Sequence, residues 1–180
     1  MRLREARICS MVGGSKPGLS MAMEVALAVE IEARLTALGL VLPEVPSPVA
    51  DYVSYLHFGN QLYVAGQLPF KAGLIAIAGT LGADLDIDRG QDAARLCALN
   101  ILAQAKAALG DLDRIVQCLR LNGYVNAAPG FTDHPKIING ASELIVKVLG
   151  QKGRHTRIAV GCSSLPLNAA VEIDAIFAID

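Results

Sequence analysis

Tryptophan is absent from the 180 residues, aromatic side chains make up 4% of them and charged side chains 18%. Sixteen lysines and arginines face 17 aspartates and glutamates, for a formal net charge of −1. A groove that tracks phosphates draws on a basic excess and stacking rings, so nucleic acid is a disfavoured partner. No apolar run approaches the roughly 20 residues that cross a bilayer, and no membrane partner is expected. The four cysteines, Cys9, Cys97, Cys118 and Cys162, form no C-x-x-C pair and have no histidine at ligand spacing, so no metal site is expected either. Cys97, Cys118 and Cys162 sit in apolar helical or strand-like runs, the habit of free thiols in a reducing compartment. Residues 9–20 supply Gly, Ser, Lys and Pro where a signal sequence would need an apolar core. A cytoplasmic location is the expectation.

The chain is rich in apolar residues, 53% in all, too many for disorder and enough at this length to bury one core. Residues 1–22 lack periodicity, contain Gly13-Gly14 and Pro17-Gly18, and read as a loose tail ahead of a single domain over 23–180. Gly13-Gly14-Ser15-Lys16 has neither the preceding strand nor the spacing of a phosphate loop. Over 23–40 apolar residues recur at helical spacing and stop at Gly39; the prolines from Pro43 to Pro48 exclude continuation. Residues 52–58 and 61–68 alternate about Gly59-Asn60 as a hairpin would, and 74–80 reads as a third strand. A long helix over 91–109 ends at Gly110. A strand over 113–126 follows, then a helix capped by Thr132 or Asp133 that carries Ile137, Ile138, Ala141, Leu144, Ile145 and Val148 on its buried face. Strands over 156–163 and 169–179 complete the chain. The order of elements favours an α+β class, with both main helices on one face of a mixed sheet.

Charged residues inside strands are scarce enough to weigh individually. Period two places Val171, Ile173, Ala175, Phe177 and Ile179 on one face of the last strand and turns Glu172 and Asp174 to the other. Arg157, Ala159 and Gly161 share a face of the strand before it. An arginine that forks onto a carboxylate and a glutamate that moves protons are suited to a small organic acid. The plain alternative is an ion pair on a solvated face, worth about 0–1 kcal/mol. A turn centred on Pro166-Leu167 would stagger Arg157 and Glu172 by about four residues, or about 13 Å, which strains a direct pair within one chain. One ligand served by both residues then implies two subunits meeting at a cleft. His57, His134 and His155 are scattered and read as structural or exposed. Ser163-Ser164 beside Cys162 has no visible activating partner, and Asn139 sits in a helix it does not favour.

The stretches Phe58-Gly-Asn-Gln-Leu-Tyr-Val-Ala-Gly-Gln-Leu-Pro69 and Arg157-Ile-Ala-Val-Gly-Cys-Ser-Ser-Leu-Pro166, the helix of Asn139, and Val171-Glu-Ile-Asp174 resemble the RidA/YjgF family, also called endoribonuclease L-PSP. With its leading helix the chain looks most like the YjgF/chorismate-mutase-like branch, from about residue 49 onward. The resemblance implies a chorismate-mutase-like α+β domain assembled as a homotrimer with ligand clefts between subunits. It further implies hydrolytic deamination of 2-aminoacrylate-type enamine or imine acids to 2-oxo acid and ammonia, with no metal or organic cofactor. Arg157 then matches the residue that binds the carboxylate, and Glu172 the one that positions water and shuttles protons. Tyr52, Gly66, Asn139 and Ala159 match further cleft positions, Gly66 and Ala159 through the backbone. Ala65 and Ala159 stand where the family typically has Ser and Cys, which points to another substrate or to binding alone. The alternatives are a non-catalytic binder or regulator of small carboxylates, and an endoribonuclease as the older family name suggests.

Overall fold

The computed structural model describes residues 30–45 and 52–180. In chain order these form α1 (Glu30–Ala37), a hairpin of β1 (Tyr55–Phe58) and β2 (Gln61–Gln67), a ribbon of β3 (Phe70–Lys71) and β4 (Leu74–Ile75), α2 (Ile87–Leu109), β5 (Ile115–Asn126), α3 (His134–Leu149), β6 (Thr156–Cys162) and β7 (Val171–Ile179). The expected tail over 1–22 and the start of the leading helix lie outside the described residues. Where α1 ends, Gly39 takes φ +66°, Leu40 N donates to Leu35 O and Gly39 N to Thr36 O. These bonds satisfy two carbonyls the helix would otherwise leave open.

Five strands form a mixed sheet in the order β1-β2-β7-β5-β6, with β5 and β6 parallel and every other neighbouring pair antiparallel. Strict alternation in β7 buries Val171, Ile173, Ala175, Phe177 and Ile179 against α2, and α3 packs on β5 and β6 beside it, so both long helices lie on one face. Truncating the fully buried Phe177 to alanine would cost about 3–5 kcal/mol. Cys97 and Cys118 are buried in the same core as free thiols and Cys162 is half-buried. The opposite face carries Leu56, Tyr63, Tyr124, Ile158 and Val160, between 36% and 56% exposed.

Three details differ from the sequence pattern. The expected strand over 74–80 shrinks to Leu74–Ile75, which pairs with Phe70–Lys71 outside the main sheet. Ala72 and Gly73, at φ +51° and +78°, turn the chain back at once, and Leu74 is 73% exposed. Helix α2 starts earlier than expected, at Ile87, because the Asp86 carboxylate accepts from Arg89 N at 2.9 Å and caps it. Most consequential, β6 and β7 do not form a hairpin: β5 lies between them. The connection over 163–170, with Leu167 and Asn168 in the left-handed region, carries the chain across β5.

Helices α2 and α3 touch where Gly140 faces Gln91. A Cβ on Gly140 would strike the Gln91 carbonyl oxygen, a backbone atom that cannot swing aside. Gly140→Ala gains about 1 kcal/mol of helix propensity, yet the enforced separation costs more, and the net expectation is a loss of about 1–2 kcal/mol. Urea unfolding reads this as a lower midpoint; an unchanged or raised midpoint would mean the helices are not in this contact.

Candidate functional site

Strand β6 is an edge of the sheet, so alternate N–H groups of its backbone face away from β5. His155, just ahead of it, and Arg157, Ala159 and Gly161 within it share the helix-facing side by period two. Opposite them α3 offers Asn139 and Ser142, three residues apart and therefore on one helix face. The Arg157 guanidinium fits between the two elements. Nη1 donates to Ser142 Oγ at 2.9 Å, and Nη2 donates to Asn139 Oδ1 at 2.8 Å and to Pro135 O at 3.3 Å. All three acceptors are uncharged, and among the described residues Arg157 has no salt-bridge partner. A guanidinium oriented in this way keeps its positive charge, and its Nε hydrogen, for something else.

Behind the arginine, Ser142 Oγ lies 3.0 Å from His155 Nε2, and His155 Nδ1 lies 2.6 Å from Gly153 O. Burial, chiefly, with help from the charge of Arg157, holds the His155 ring below its ordinary 6.5, against the opposing bond to Gly153. Farther along β6 the His134 ring covers Gly161 so closely that a Cβ there would strike Nε2, and Phe131 meets His134 edge-on with centroids 5.4 Å apart.

Glu172 belongs to the other face. An irregularity between Val64 and Gln67 breaks the register of β2 against β7, and a Cβ on Gly66 would collide with Glu172 Oε1. Glycine at this position lets the carboxylate lie against the backbone of β2; a larger residue would displace it. Burial raises the carboxyl of Glu172 above its ordinary 4.5, and the charge of Asp174 adds to the rise. Asp174 is also raised, by burial first; a hydrogen bond from Asn122 Nδ2 at 2.7 Å and the charge of Arg120 oppose the change. Beside Gly66 a hollow of about 330 Å³ opens on this face, lined in part by Leu56, Tyr63, Ala65 and Asp174. Tyr52, 59% exposed, stands just ahead of β1 at the end of the hairpin where Ala65 N donates to Ser54 O.

The expected site residues thus fall into two groups. Arg157, Asn139 and Ala159 gather on the helix-facing edge, and Glu172 with Gly66 on the open face. In register, Arg157 lies level with Leu121 and Ala175, whereas Glu172 lies level with Tyr124 and Val160. Their Cα positions are therefore about 10 Å apart across the strands and about 10 Å along them, with the side chains on opposite faces. The expectation of adjoining strands was wrong, and the obstacle to a pair within one chain is stronger than stagger: a sheet stands between the two groups. Ser142 and His155 are not among the expected site residues. Their only sequence signals are the three-residue step from Asn139 and the two-residue step to Arg157.

An α+β domain with a mixed sheet, helices on one face and an unneutralised arginine on its edge strand defines the class. The family described as "YjgF/chorismate mutase-like, putative endoribonuclease" matches residues 32–178. The protein belongs to this RidA/YjgF family. It is 47% identical over 155 residues to Protein TCP17 of Trypanosoma cruzi, covering 86% of this chain and 97% of the other. The crystal structure of Atu1372 from Agrobacterium tumefaciens, a protein described as of unknown function, is 51% identical with a TM-score of 0.80, covering 88% of this chain and 99% of that one. Escherichia coli TdcF, whose structure was solved with bound serine, shares the fold at 22% identity and a TM-score of 0.56, over 76% of this chain and 94% of its own.

The raised carboxyl of Glu172 gives a signed prediction. Above its folded-state pKa the ionised group opposes folding, and below its ordinary 4.5 it is protonated in both states and the cost is gone. Glu172→Gln should therefore melt at or above the parent temperature near neutral pH, with the difference closing as pH falls. Thermal melts across that range check it; a variant less stable at neutral pH would contradict the assignment.

Proposed function

We propose that the protein is a hydrolytic deaminase of small enamine and imine acids of the 2-aminoacrylate type, releasing a 2-oxo acid and ammonia. The observation that carries this reading is Arg157, oriented by three neutral oxygens and lacking a carboxylate partner among the described residues. Such a group is complementary to a carboxylate in charge and geometry. The serine bound to Escherichia coli TdcF has a carboxylate of the same kind. With the acid held there, an enamine first takes a proton from solvent at carbon and becomes the protonated imine, its nitrogen keeping both hydrogens. Glu172, its carboxyl raised above the ordinary value by burial, accepts a proton from water as the oxygen attacks the imine carbon. The same proton then goes to the amine nitrogen, ammonia leaves as the carbon–nitrogen bond breaks, and the carboxylate takes the hydroxyl proton as the carbonyl of the 2-oxo acid forms, so one carboxyl serves both halves of the hydrolysis. Tyr52 and the backbone of Gly66 and Ala159 complete the cleft in this reading.

Arg157 and Glu172 face opposite sides of one sheet, so a shared ligand takes them from different copies of the chain. A homotrimer with a cleft at each contact provides this, and it covers the apolar residues of the open face. A second reading, binding without turnover, is favoured by Ala65 and Ala159, which place methyl groups beside Gly66 and Arg157.

The test uses an imine generated in situ by an amino-acid oxidase and follows 2-oxo acid. The protein should accelerate its release, and Arg157→Ala should lower kcat/KM by about 100-fold or more. Asn139→Asp, which sets a counter-ion against Nη2, should keep the fold and weaken carboxylate binding about ten-fold. Equal activity in Arg157→Ala would overturn the reading, and saturable binding of 2-oxo acids with no turnover would select the second.

Refolding a mixture of Arg157→Ala and Glu172→Gln tests the shared cleft. Random assembly restores both residues to roughly a quarter of the clefts, and activity returns in proportion. A mixture as inactive as its components would place both residues in one chain's site, or neither.

A further inference from the structure

Arginine can only donate hydrogen bonds and a backbone carbonyl can only accept them. This fixes the direction of the chain that runs from Arg157 through Ser142 and His155 to Gly153. At one end Gly153 O accepts, so the hydrogen of the ring sits on Nδ1, 2.6 Å away. The neutral ring then has a bare Nε2, and the hydroxyl of Ser142, 3.0 Å from it, points its hydrogen there. At the other end Arg157 Nη1 donates across 2.9 Å to an oxygen lone pair of the same serine. Every member has one role and none is free to turn.

We propose that Ser142 and His155 are positioning residues for Arg157, a one-way hydrogen-bond chain that locks the guanidinium in the orientation that receives a carboxylate. The two touch no ligand and act through the arginine. The lowered His155 keeps the ring in the neutral state that the chain requires. Without His155, the Ser142 hydroxyl has the carbonyl of Ile138 one helical turn back as an alternative acceptor, and its lone pairs leave Nη1. Asn139 and the Pro135 carbonyl hold only Nη2, so loss of the serine leaves the group pinned through a single nitrogen. A serine inside α3 costs helix propensity relative to alanine, and this role explains what it returns.

The test has a structural arm and a kinetic arm, and only the kinetic arm rests on the proposed deaminase activity. In nitrogen NMR of the full-length protein, His155 should show its hydrogen on Nδ1 and a bare Nε2. The terminal nitrogens of Arg157 should rotate slowly in the parent and in Ser142→Thr, which keeps the hydroxyl, and rapidly in Ser142→Ala and His155→Leu. In the imine assay Ser142→Ala should raise KM about ten-fold with kcat within about two-fold, because the anchor acts equally on ground and transition states. Ser142→Thr should restore KM. Alanine favours helix, so the key variant is expected to fold.

A hydrogen on Nε2, or unchanged Arg157 rotation in Ser142→Ala, would overturn the proposal and leave the chain as a tie between α3 and β6. Faster rotation with an unchanged KM would overturn its bearing on the ligand. If the parent turns over no imine while the rotation behaves as stated, the positioning role stands and the deaminase reading falls.

Discussion

A guanidinium that is oriented yet not neutralised is the constraint on which the site depends. Pairing Arg157 with a carboxylate would have anchored it more firmly, and would have neutralised its charge. The protein instead surrounds its terminal nitrogens with a hydroxyl, a side-chain amide oxygen and a backbone carbonyl. Neutral acceptors fix direction without cancelling charge, and this distinguishes Arg157 from an ordinary surface ion pair such as Arg95 with Asp92.

That arrangement needs an edge strand. In the interior of the sheet a residue on the helix-facing side is buried under α2 and α3, as Leu121 is at the same level of β5. At β6 the helical layer ends, and Arg157 reaches the polar side of α3 rather than its apolar stripe. Ile137, Ile138, Ala141, Leu144 and Ile145 turn to the core, while Asn139 and Ser142 look along the sheet toward the edge. One helix thereby closes the core and holds the arginine. On the far side of the sheet, Glu172 is kept half-buried by neighbours that offer it no positive partner among the described residues, and its carboxyl is raised accordingly.

Much of this was legible in local pattern. The hairpin about Gly59-Asn60, the spans of β5, α3 and β7, and the face on which Glu172 sits follow from periods of 2.0 and 3.6, because those periods express backbone geometry that holds wherever an apolar face must be buried. Asn139 could be singled out because it disfavours the helix it occupies. The short β3–β4 ribbon was read as part of a longer strand because an apolar run does not reveal where pairing stops: past Ile75 the chain leaves the ribbon with no glycine or proline to mark its end. Ser142 and His155 carried almost no signal. Serine is common on exposed helix faces, and a lone histidine is uninformative until its neighbours in space are known.

The sequence by itself determined the class of fold, the single core and which side chains share a face of each strand, since all of these are decided by residues close along the chain. Tertiary structure alone decided strand order. It put β5 between β6 and β7, set Arg157 and Glu172 on opposite faces of one sheet, and brought Pro135, Asn139 and Ser142 to the same guanidinium. Neighbours in a sheet are selected by how a whole chain buries its apolar surface, a sum over residues far apart, and no local period records it.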